Sequence, residues 1–347
     1  MADLKIGNFV VGDGYPPFVI AEAGVNHEGD MDVAKRMIDL AAENGAQAIK
    51  FQTYKAERLA AKESPAYWKT DKTQRDFFKM YDRFWRDEYL ELAEHARERG
   101  IIFLSTPFDE EAVDFLDEVV PAFKIASADM TNLPFLRYVA RKGKPMLIST
   151  GAATIEEIRQ ALLAIESEGN DQVALLHCVL SYPTPHELAN LRMIQGLKEQ
   201  FPQCVIGYSD HTVPDPSMVL LVTAYLLGAN ILEKHYTLDK TLPGNDHYHA
   251  MDPDDLKRLT ANLTLIQESL GQKDRKLLDC ERPARQYARR SLVAKVPIRK
   301  GEIITEEMLT AKRPGTGISP AQLYTVVGRK AARDIPEDTV LKRQDFI

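Results

Sequence analysis

Eight short apolar segments alternate with helical segments over the first 270 residues, and this alternation limits the possible folds more than any other feature of the chain. The predicted strands are Phe18–Ala21, Ala48–Phe51, Ile101–Leu104, Ala122–Ala126, Pro145–Ile148, Val173–Leu176, Cys204–Gly207 and Asn230–Leu232. Each segment is almost free of polar residues, which is typical of parallel strands that are covered on both faces. Eight such strands, each followed by a helix, predict a closed (β/α)8 TIM barrel.

The predicted helices are Met31–Asn44, Glu88–Arg99, Glu110–Val120, Leu133–Arg141, Thr154–Glu168, Leu188–Gln200, Ser217–Leu227 and Pro253–Leu270. An open, doubly wound sheet is the alternative interpretation of the same alternation. It is disfavoured because no GxGxxG turn follows the first strand, and because polar residues mark the ends of all eight strands rather than one switch point. A small hairpin over Leu4–Val11 is expected before the barrel.

The composition changes after the last predicted helix. Residues 276–290 are rich in charge, and short apolar segments with glycine turns follow, which indicates a small β-rich domain. We therefore expect a barrel domain over 1–275, a linker over 276–288 and a C-terminal domain over 289–347. From Glu281 onward there are fourteen Lys and Arg against eight Asp and Glu, so the tail is basic although the whole chain carries a net charge of −7.

Several functions are disfavoured by composition. The basic tail has no aromatic–basic motif, so nucleic-acid binding is not expected. The longest uncharged segment, Pro216–Leu232, is interrupted by Gly228 and Asn230 and predicts a buried helix rather than a membrane span. No secretory signal is recognisable, and the three cysteines are an odd number in a long chain. A cytoplasmic protein with reduced thiols and no membrane contact is therefore expected.

Two histidines end polar clusters that directly follow apolar strands: His211 in GYSDHT and His235 in EKHYT. If these strands are parallel neighbours, the two imidazoles lie roughly 5 Å apart. Two neutral imidazoles with positions left for oxygen ligands suit one divalent metal ion. A pair of satisfied interior histidines is the alternative, and the pair alone does not decide between them.

The ends of the other strands are rich in lysine and hydroxyl side chains. A barrel collects such residues at the C-terminal mouth of its strands, where active sites of this fold lie. Buried lysines are costly unless an anion meets them. The predicted cradle for a phosphate and a carboxylate consists of Lys50, Lys124, Ser127, Ser149 and Ser209. Pairing of the two lysines with Glu22 or Asp129 inside the barrel is the structural alternative.

Two connections are expected to lie above the barrel mouth. The second βα connection, between residues 53 and 86, is long and rich in bulky aromatic residues. Long loops at this place are usually functional, and these aromatics either line a sugar pocket or, as we expect, bury a subunit interface. After the eighth strand, a Pro-Gly turn is predicted to bring Asp246 over the mouth. His247 and His249 in the same loop are expected to be surface residues or to support the ligands from behind.

Motifs along almost the whole chain resemble those of the sialic acid synthase family. They are IAEAGVNHEGD, IKFQTY, STPFD, KIASAD, ISTGAA, CVLSYPTP, GYSDHT, EKHYTLDK and PGNDH, followed by RRSLVA and KRPGTGI. The resemblance implies a barrel followed by a SAF domain, a module similar to type III antifreeze protein. It also implies condensation of phosphoenolpyruvate with an N-acyl sugar such as N-acetylmannosamine, release of phosphate, and use of Mn²⁺, Mg²⁺ or another divalent cation.

The resemblance also implies roles for individual residues. His211 and His235 would hold the metal, and the cradle described above would hold phosphoenolpyruvate. The residues implied to position the sugar and the attacking water are Glu22, Gln52, Tyr182 and Asp246. The expected catalytic set is Glu22, Asp129 and Asp246. Arg313, in KRPGTGI, would reach from the SAF domain of one subunit into the barrel of the other, which implies a domain-swapped homodimer.

Two departures from the family pattern concern the substrate. Leu180 stands where many N-acetylneuraminate synthases have an asparagine that contacts the sugar, and a leucine cannot donate a hydrogen bond there. Asp129 stands where several members have glutamate, which keeps a carboxylate. The alternative products are therefore legionaminic or pseudaminic acid, made from a 6-deoxy-diacetamido sugar, or a sialic acid phosphate, made from a sugar 6-phosphate.

Other functions remain as alternatives to the synthase. A metal-dependent aldolase or epimerase on the same barrel would not need the paired lysines. A carbohydrate-binding or ice-binding-like protein would leave those buried lysines without a purpose.

Overall fold

The structure of the protein, a computed structural model, describes residues 2–68, 70–244 and 246–347. The chain divides into two compact units, residues 1–270 and 271–347. Within the described ranges, no helix is both long enough and apolar enough to cross a membrane.

The first unit is a barrel preceded by a hairpin. Its strands are β1 (Asp3–Ile6), β2 (Phe9–Gly12), β3 (Phe18–Gly24), β4 (Ala48–Thr53), β5 (Ile102–Pro107), β6 (Phe123–Ile125), β7 (Met146–Ser149), β8 (Val173–Cys178), β9 (Val205–Asp210) and β10 (Ile231–His235). Its helices are α1 (Met31–Glu43), α2 (Ala56–Leu59), α3 (Gln74–Phe78), α4 (Arg86–Glu98), α5 (Glu110–Leu116), α6 (Leu133–Ala140), α7 (Ile155–Glu166), α8 (Met193–Gln200), α9 (Val219–Leu226) and α10 (Pro253–Leu270). The alternation of strands and helices is the one that the sequence predicts, and β1 and β2 form the expected hairpin.

The sheet of the barrel runs in the order β5-β4-β3-β10-β9-β8-β7-β6, with every pair parallel. The first barrel strand, β3, pairs with the last, β10, and the terminal strands of this order, β5 and β6, lie beside each other. In an open sheet, the first and last strands would not pair in this way. The predicted TIM barrel is therefore confirmed, and the doubly wound alternative is wrong.

The lower half of the barrel interior is apolar and closed. Inward-facing residues of the strands form one cluster with the N-terminal hairpin, consisting of Leu4, Ile6, Val11, Phe18, Ile20, Ala48, Leu104, Ala122, Leu147, Ala174, Leu176, Val205 and Ile231. The hairpin thus covers this end of the barrel with apolar side chains. The polar residues described below sit directly above this apolar floor.

The strands extend two to three residues beyond several of the predicted apolar segments. β3 reaches Gly24 and β10 reaches His235, and the parallel ladder pairs His235 with Glu22 and Lys234 with Asp210. The strands include these polar residues, whose backbone groups stay hydrogen-bonded in the sheet. Their side chains face the barrel interior or the helix layer rather than solvent. The candidate site residues on these strands are consequently held by the sheet itself.

Short capped turns lead from the strands into the helices. At α7, the Thr154 hydroxyl accepts a hydrogen bond from the Glu157 amide at 3.2 Å, and the Glu157 carboxylate accepts one from the Thr154 amide at 2.7 Å. Such a capping box fixes the start of a helix. The helix predicted over Leu188–Gln200 is shorter than expected, because Asn190 has a φ of +47°, which interrupts the right-handed helix before α8.

The second unit is a small β-rich module. An antiparallel pair, β11 (Ser291–Ala294) and β12 (Leu309–Lys312), is joined by isolated bridges such as Val293 to Val340. Its own core contains Leu292, Ala294, Ile298, Ile304, Leu309, Ile318, Val326, Ala331, Ile335 and Leu341. A short helix, α11 (Arg282–Tyr287), lies within the segment expected as a linker. The linker boundaries at 276 and 288 stay a prediction.

Candidate active site

Four buried charged residues form a layer across the barrel above its apolar floor. The Lys50 ammonium lies 2.5 Å from a Glu22 oxygen and 3.9 Å from a Glu233 oxygen, and the Lys124 ammonium lies 3.5 Å from the other Glu233 oxygen. All four side chains are 5% exposed or less. The alternative that the lysines pair with carboxylates inside the barrel therefore holds for Lys50, which pairs with Glu22. Lys124 pairs with Glu233 rather than with Asp129.

Hydroxyl and amide side chains surround this layer. Lys124 donates to Ser149 Oγ at 2.7 Å, Lys50 donates to Thr106 Oγ1 at 3.0 Å, and Ser209 donates to Glu233 at 2.7 Å. Gln52 donates to Glu22 at 3.1 Å. The structure therefore brings four of the five predicted cradle residues, together with Gln52, into one connected network.

The fifth predicted cradle residue, Ser127, lies in a neighbouring hydrogen-bond group. Its hydroxyl accepts from the Gly151 amide at 3.0 Å and lies 3.3 Å from Cys178 Sγ. Cys178 Sγ is in turn 3.8 Å from His211 Nδ1, so Ser127 stands between the lysine layer and the histidines. Asp129 ends the same 3-10 turn, and its Oδ2 is buried without a hydrogen-bond partner among the described residues.

Burial sets the protonation of these groups. It raises the pKa of Glu22 in spite of the attraction of Lys50, and it lowers the pKa of Lys124 in spite of Glu233. It also raises the pKa of Asp129 to about 6. Protonation of Glu22 leaves two lysines facing one carboxylate, so the layer gains a net positive charge. With Glu22 protonated, the two lysines can then bind an anion that carries more negative charge than the Glu22 carboxylate did.

Three imidazoles and one carboxylate cluster at the rim above this layer. The ring centroids of His211 and His235 are 5.5 Å apart, close to the spacing that adjacent parallel strands predict. His249 lies 4.9 Å from His235 and 6.3 Å from His211, also between ring centroids. An Asp246 oxygen lies 3.5 Å from His235 Nδ1, so the turn after β10 does bring this carboxylate to the mouth.

The ring nitrogens of this cluster are available for a metal ion. His211 Nδ1 makes a hydrogen bond with the Val179 carbonyl at 2.9 Å, so Nε2 is the nitrogen that could bind a metal ion. Among the described residues, His235 Nδ1 and both nitrogens of His249 have no hydrogen-bond partner. Burial holds the pKa of His235 well below its usual range and lowers that of His249 to about 3. The pKa of His211 moves the other way, because in spite of burial the neighbouring Cys178 thiol raises it. Neutral imidazoles are the form that binds divalent metals, so His235 and His249 fit such an ion as they stand, and His211 fits it once its proton is released.

Of the two expectations for His247 and His249, a place on the surface is wrong, because both side chains are fully buried. His247 contacts Thr237 Oγ1 at 2.7 Å and Glu28 at 3.4 Å, behind the cluster, whereas His249 joins the cluster itself. A 3-10 turn over His247–His249 places His249 on the same side as Asp246, three residues earlier. The spacing of an aspartate and a histidine three residues apart is the sequence signal that could have indicated this.

Aromatic side chains cover the histidines. The Tyr182 ring lies 4.3 Å from the His211 ring, and the Tyr67 ring lies 6.4 Å from that of Tyr182. Within the long connection, Tyr54 and Tyr81 form a small cluster packed by Phe77, Phe78 and Phe108. Tyr182 therefore belongs to the histidine rim of the site. The role of the remaining loop aromatics in a subunit interface stays a prediction.

Leu180 and Arg313 are the remaining predicted residues. Leu180 is half-buried, two residues before Tyr182. Arg313 is exposed in the second unit, directly after β12. Arg313 therefore belongs to the surface of the second unit.

Family models match both parts of the chain. Residues 37–275 match the NeuB family, and residues 289–347 match the SAF domain. The chain belongs to the NeuB family. The recognition of a sialic acid synthase family member with a C-terminal SAF domain is therefore confirmed, and the chain is an enzyme.

Relatives of the chain include an N,N'-diacetyllegionaminic acid synthase and an N-acetylneuraminate-9-phosphate synthase. The N,N'-diacetyllegionaminic acid synthase of Campylobacter jejuni is 40% identical over 93% of this chain and 98% of that protein. The N-acetylneuraminate-9-phosphate synthase of Homo sapiens is 39% identical over 96% of this chain and 94% of that protein. Among solved structures, the N-acetylneuraminic acid synthetase of Leptospira borgpetersenii has a TM-score of 0.71 and 36% identity, covering 81% of this chain and 95% of that chain.

Proposed function

We propose that this NeuB family enzyme condenses phosphoenolpyruvate with an N-acyl amino sugar and water to form a nonulosonic acid of the N-acetylneuraminate type and phosphate. It would thus be a transferase that forms a carbon–carbon bond. The observation that carries the proposal is the joint placement of two buried lysines and a histidine–aspartate cluster at the open end of the barrel. An aldolase or epimerase would use the histidine–aspartate cluster but would leave the two buried lysines without a function.

The lysine layer supplies the site for phosphoenolpyruvate. Lys50 and Lys124 are held about the barrel axis by Thr106 and Ser149, so their ammonium groups are oriented before any substrate arrives. A phosphate and a carboxylate on one small molecule match two fixed ammonium groups with neighbouring hydroxyls. Preorganisation of this kind lowers the entropy lost on binding.

The histidine cluster supplies the metal site. We assign His211 and His235 as ligands, with Mn²⁺ as the favoured cation and Mg²⁺ or another divalent ion as alternatives. A bound cation would act as a Lewis acid on the aldehyde of the open-chain sugar. Val179 orients His211 through its carbonyl, and Asp246 stands beside His235. Tyr182, whose ring lies tilted against that of His211, would contact the sugar at the same rim.

Glu22 is the favoured proton-transfer group. Its raised pKa keeps a proton available near neutral pH, and Gln52 fixes the orientation of its carboxyl group. Asp129 and Asp246 are the other catalytic candidates, and burial raises the pKa of Asp246 to about 6. Carboxyl groups whose pKa is raised in this way transfer protons effectively close to neutral pH.

The acceptor sugar is chosen in part by residue 180. Leu180 presents no hydrogen-bond donor, so it favours an acceptor with an apolar substituent, such as a 6-deoxy sugar, over one with a hydroxyl at the same place. A domain-swapped homodimer in which the partner subunit's Arg313 approaches the sugar is part of this proposal, as is a cytoplasmic location. The exposed side chain of Arg313 is compatible with such a contact.

Phosphate release from phosphoenolpyruvate with Mn²⁺ tests the proposal. The acceptors to compare are N-acetylmannosamine, its 6-phosphate and the two 6-deoxy-diacetamido sugars, with a reaction lacking any sugar as the control. We expect release that depends on one of these sugars and is lost after chelation of the metal. Sugar-independent release, or none with any acceptor, would contradict the proposal. Leu180→Asn should then move the preference toward N-acetylmannosamine.

A further inference from the structure

His249 is an unusual residue in the histidine cluster. Its side chain is fully buried, yet neither ring nitrogen has a hydrogen-bond partner among the residues that the structure describes. Buried polar groups in native proteins are almost always paired with protein, water or a ligand. An Asp246 oxygen lies 3.9 Å from the His249 Nε2 atom, too far for a hydrogen bond. A buried imidazole of this kind at the open end of the barrel indicates a partner that is not a protein group.

The surroundings of His249 indicate what this partner is. One potential ligand atom each from His235, Asp246 and His249 lies within 4.8 Å of the other two. The His249 ring also lies 5.7 Å from the Tyr182 ring and 6.3 Å from the His211 ring, so it completes the wall of the same rim. Two imidazoles and a carboxylate that converge on one point form a donor set for a divalent transition metal.

The neighbouring histidine on the same 3-10 turn provides an internal comparison. His247 is equally buried, but Thr237 occupies one of its nitrogens and Glu28 lies near the other. The turn thus holds one histidine that is satisfied by protein groups and one that is not. Burial alone does not leave a ring nitrogen without a partner at this place.

We propose that His249 is a third imidazole ligand of the metal site, so that the ion is held by His211, His235 and His249 with Asp246 beside them. The inference rests on the proposed metal pair His211 and His235 and adds a ligand to it. Nitrogen ligands favour later transition metals, whereas Mg²⁺ prefers oxygen. His249 therefore increases the preference of this site for ions such as Co²⁺ and Zn²⁺ over Mg²⁺.

Metal binding by the full chain, after removal of bound ions with a chelator, tests the proposal without any turnover. Titrations with Co²⁺, Zn²⁺ and Mg²⁺ by calorimetry are compared for the wild type and for His249→Phe, which keeps an aromatic ring but removes both nitrogens. The affinity for Co²⁺ and Zn²⁺ is expected to fall at least about tenfold, and that for Mg²⁺ much less. The visible spectrum of bound Co²⁺ should change as a nitrogen ligand is lost.

Three further variants complete the design. His249→Gln serves if the phenylalanine variant does not fold, and it should show the same selective loss. His95→Phe removes a histidine on α4 that pairs with Asp39, outside the site, and should bind all three ions as the wild type does. His211→Ala tests the underlying metal pair by itself.

The outcomes separate the two hypotheses. Unchanged affinities and an unchanged Co²⁺ spectrum in both His249 variants, together with loss of binding in His211→Ala, would overturn the role of His249 and leave the metal pair standing. Absence of binding in the wild type would overturn both. A selective loss for Co²⁺ and Zn²⁺ in the His249 variants would support the third imidazole.

Discussion

Replacement of Lys124 by methionine tests the buried charge layer. Methionine retains much of the length and apolar stem of lysine but removes the ammonium, which donates to Ser149 at 2.7 Å and lies 3.5 Å from Glu233. Two unit charges at that distance attract each other by roughly 4–5 kcal/mol at an effective dielectric constant of about 20. Because the Glu233 carboxylate would stay buried with a weaker partner, we expect unfolding to become easier by about 3–5 kcal/mol.

An exposed ion pair provides the matched control. Lys35 lies 2.5 Å from Glu91, closer than Lys124 lies to Glu233, but the two side chains are 31% and 55% exposed. Water screens such pairs, so Lys35→Met should leave the stability close to that of the wild type. Unfolding in urea followed by tryptophan fluorescence reports on the barrel, because both tryptophans, Trp68 and Trp85, lie in the first unit.

The same variant tests the substrate cradle. Loss of one charge-assisted hydrogen bond to a phosphate or carboxylate costs about 1.5–3 kcal/mol, or roughly ten- to hundredfold in affinity. Calorimetry with phosphoenolpyruvate alone should show this loss for Lys124→Met and none for Lys35→Met. A folded Lys124→Met protein that binds phosphoenolpyruvate as tightly as the wild type would refute the assignment of this lysine. Equal stability of the two variants would refute the argument from burial.

Three other predictions follow from the site. Asp129→Asn should be more stable than the wild type above pH 6, by at most about 3 kcal/mol at pH 8, because burial raises the pKa of Asp129 from 3.8 to about 6 and the charged form destabilises the fold. The stability that protonated Asp129 contributes to the wild type is lost as the pH rises through about 6. The urea midpoints of Asp129→Asn and the wild type should therefore differ less toward pH 5, and a difference that does not change with pH would contradict this. His211→Ala or His235→Ala should abolish metal-dependent phosphate release while the circular dichroism spectrum stays that of the wild type, and full activity in either variant would exclude the assigned ligand. Arg313→Ala should raise KM for the sugar without changing metal affinity, whereas unchanged kinetics would remove the partner subunit's arginine from the site.

The residues at the strand ends show how far sequence reasoning reaches. Lys50 and Lys124 lie within predicted strands, whereas His211 and His235 follow theirs closely, and in a parallel barrel the C-terminal parts of all strands point to the same mouth. Their convergence could therefore be predicted from the period of the sequence. Asp246 could also be placed at the mouth, because a Pro-Gly turn in the loop after the last strand precedes it.

Other features depended on contacts between residues far apart in the chain. Lys124 meets Glu233 because β6 and β10 face each other across the barrel, and no local pattern distinguishes this pairing from one with Asp129. Burial of His249 was missed because polar loop sequences are usually exposed. Here His247 of the 3-10 turn contacts Thr237, and the Met251 amide, just after the turn, donates to the His235 carbonyl of β10.

The sequence by itself determined the number and order of the strands, the list of polar groups at the mouth and the family. These follow from short-range patterns, since the alternation of side chains along a strand and the positions of turns are local properties. Only the tertiary structure decided which carboxylate pairs with each lysine, how many imidazoles face one another and which nitrogens lack partners. Those properties depend on distances across the barrel and on exclusion of water, and both arise only when all eight strands close around the same interior.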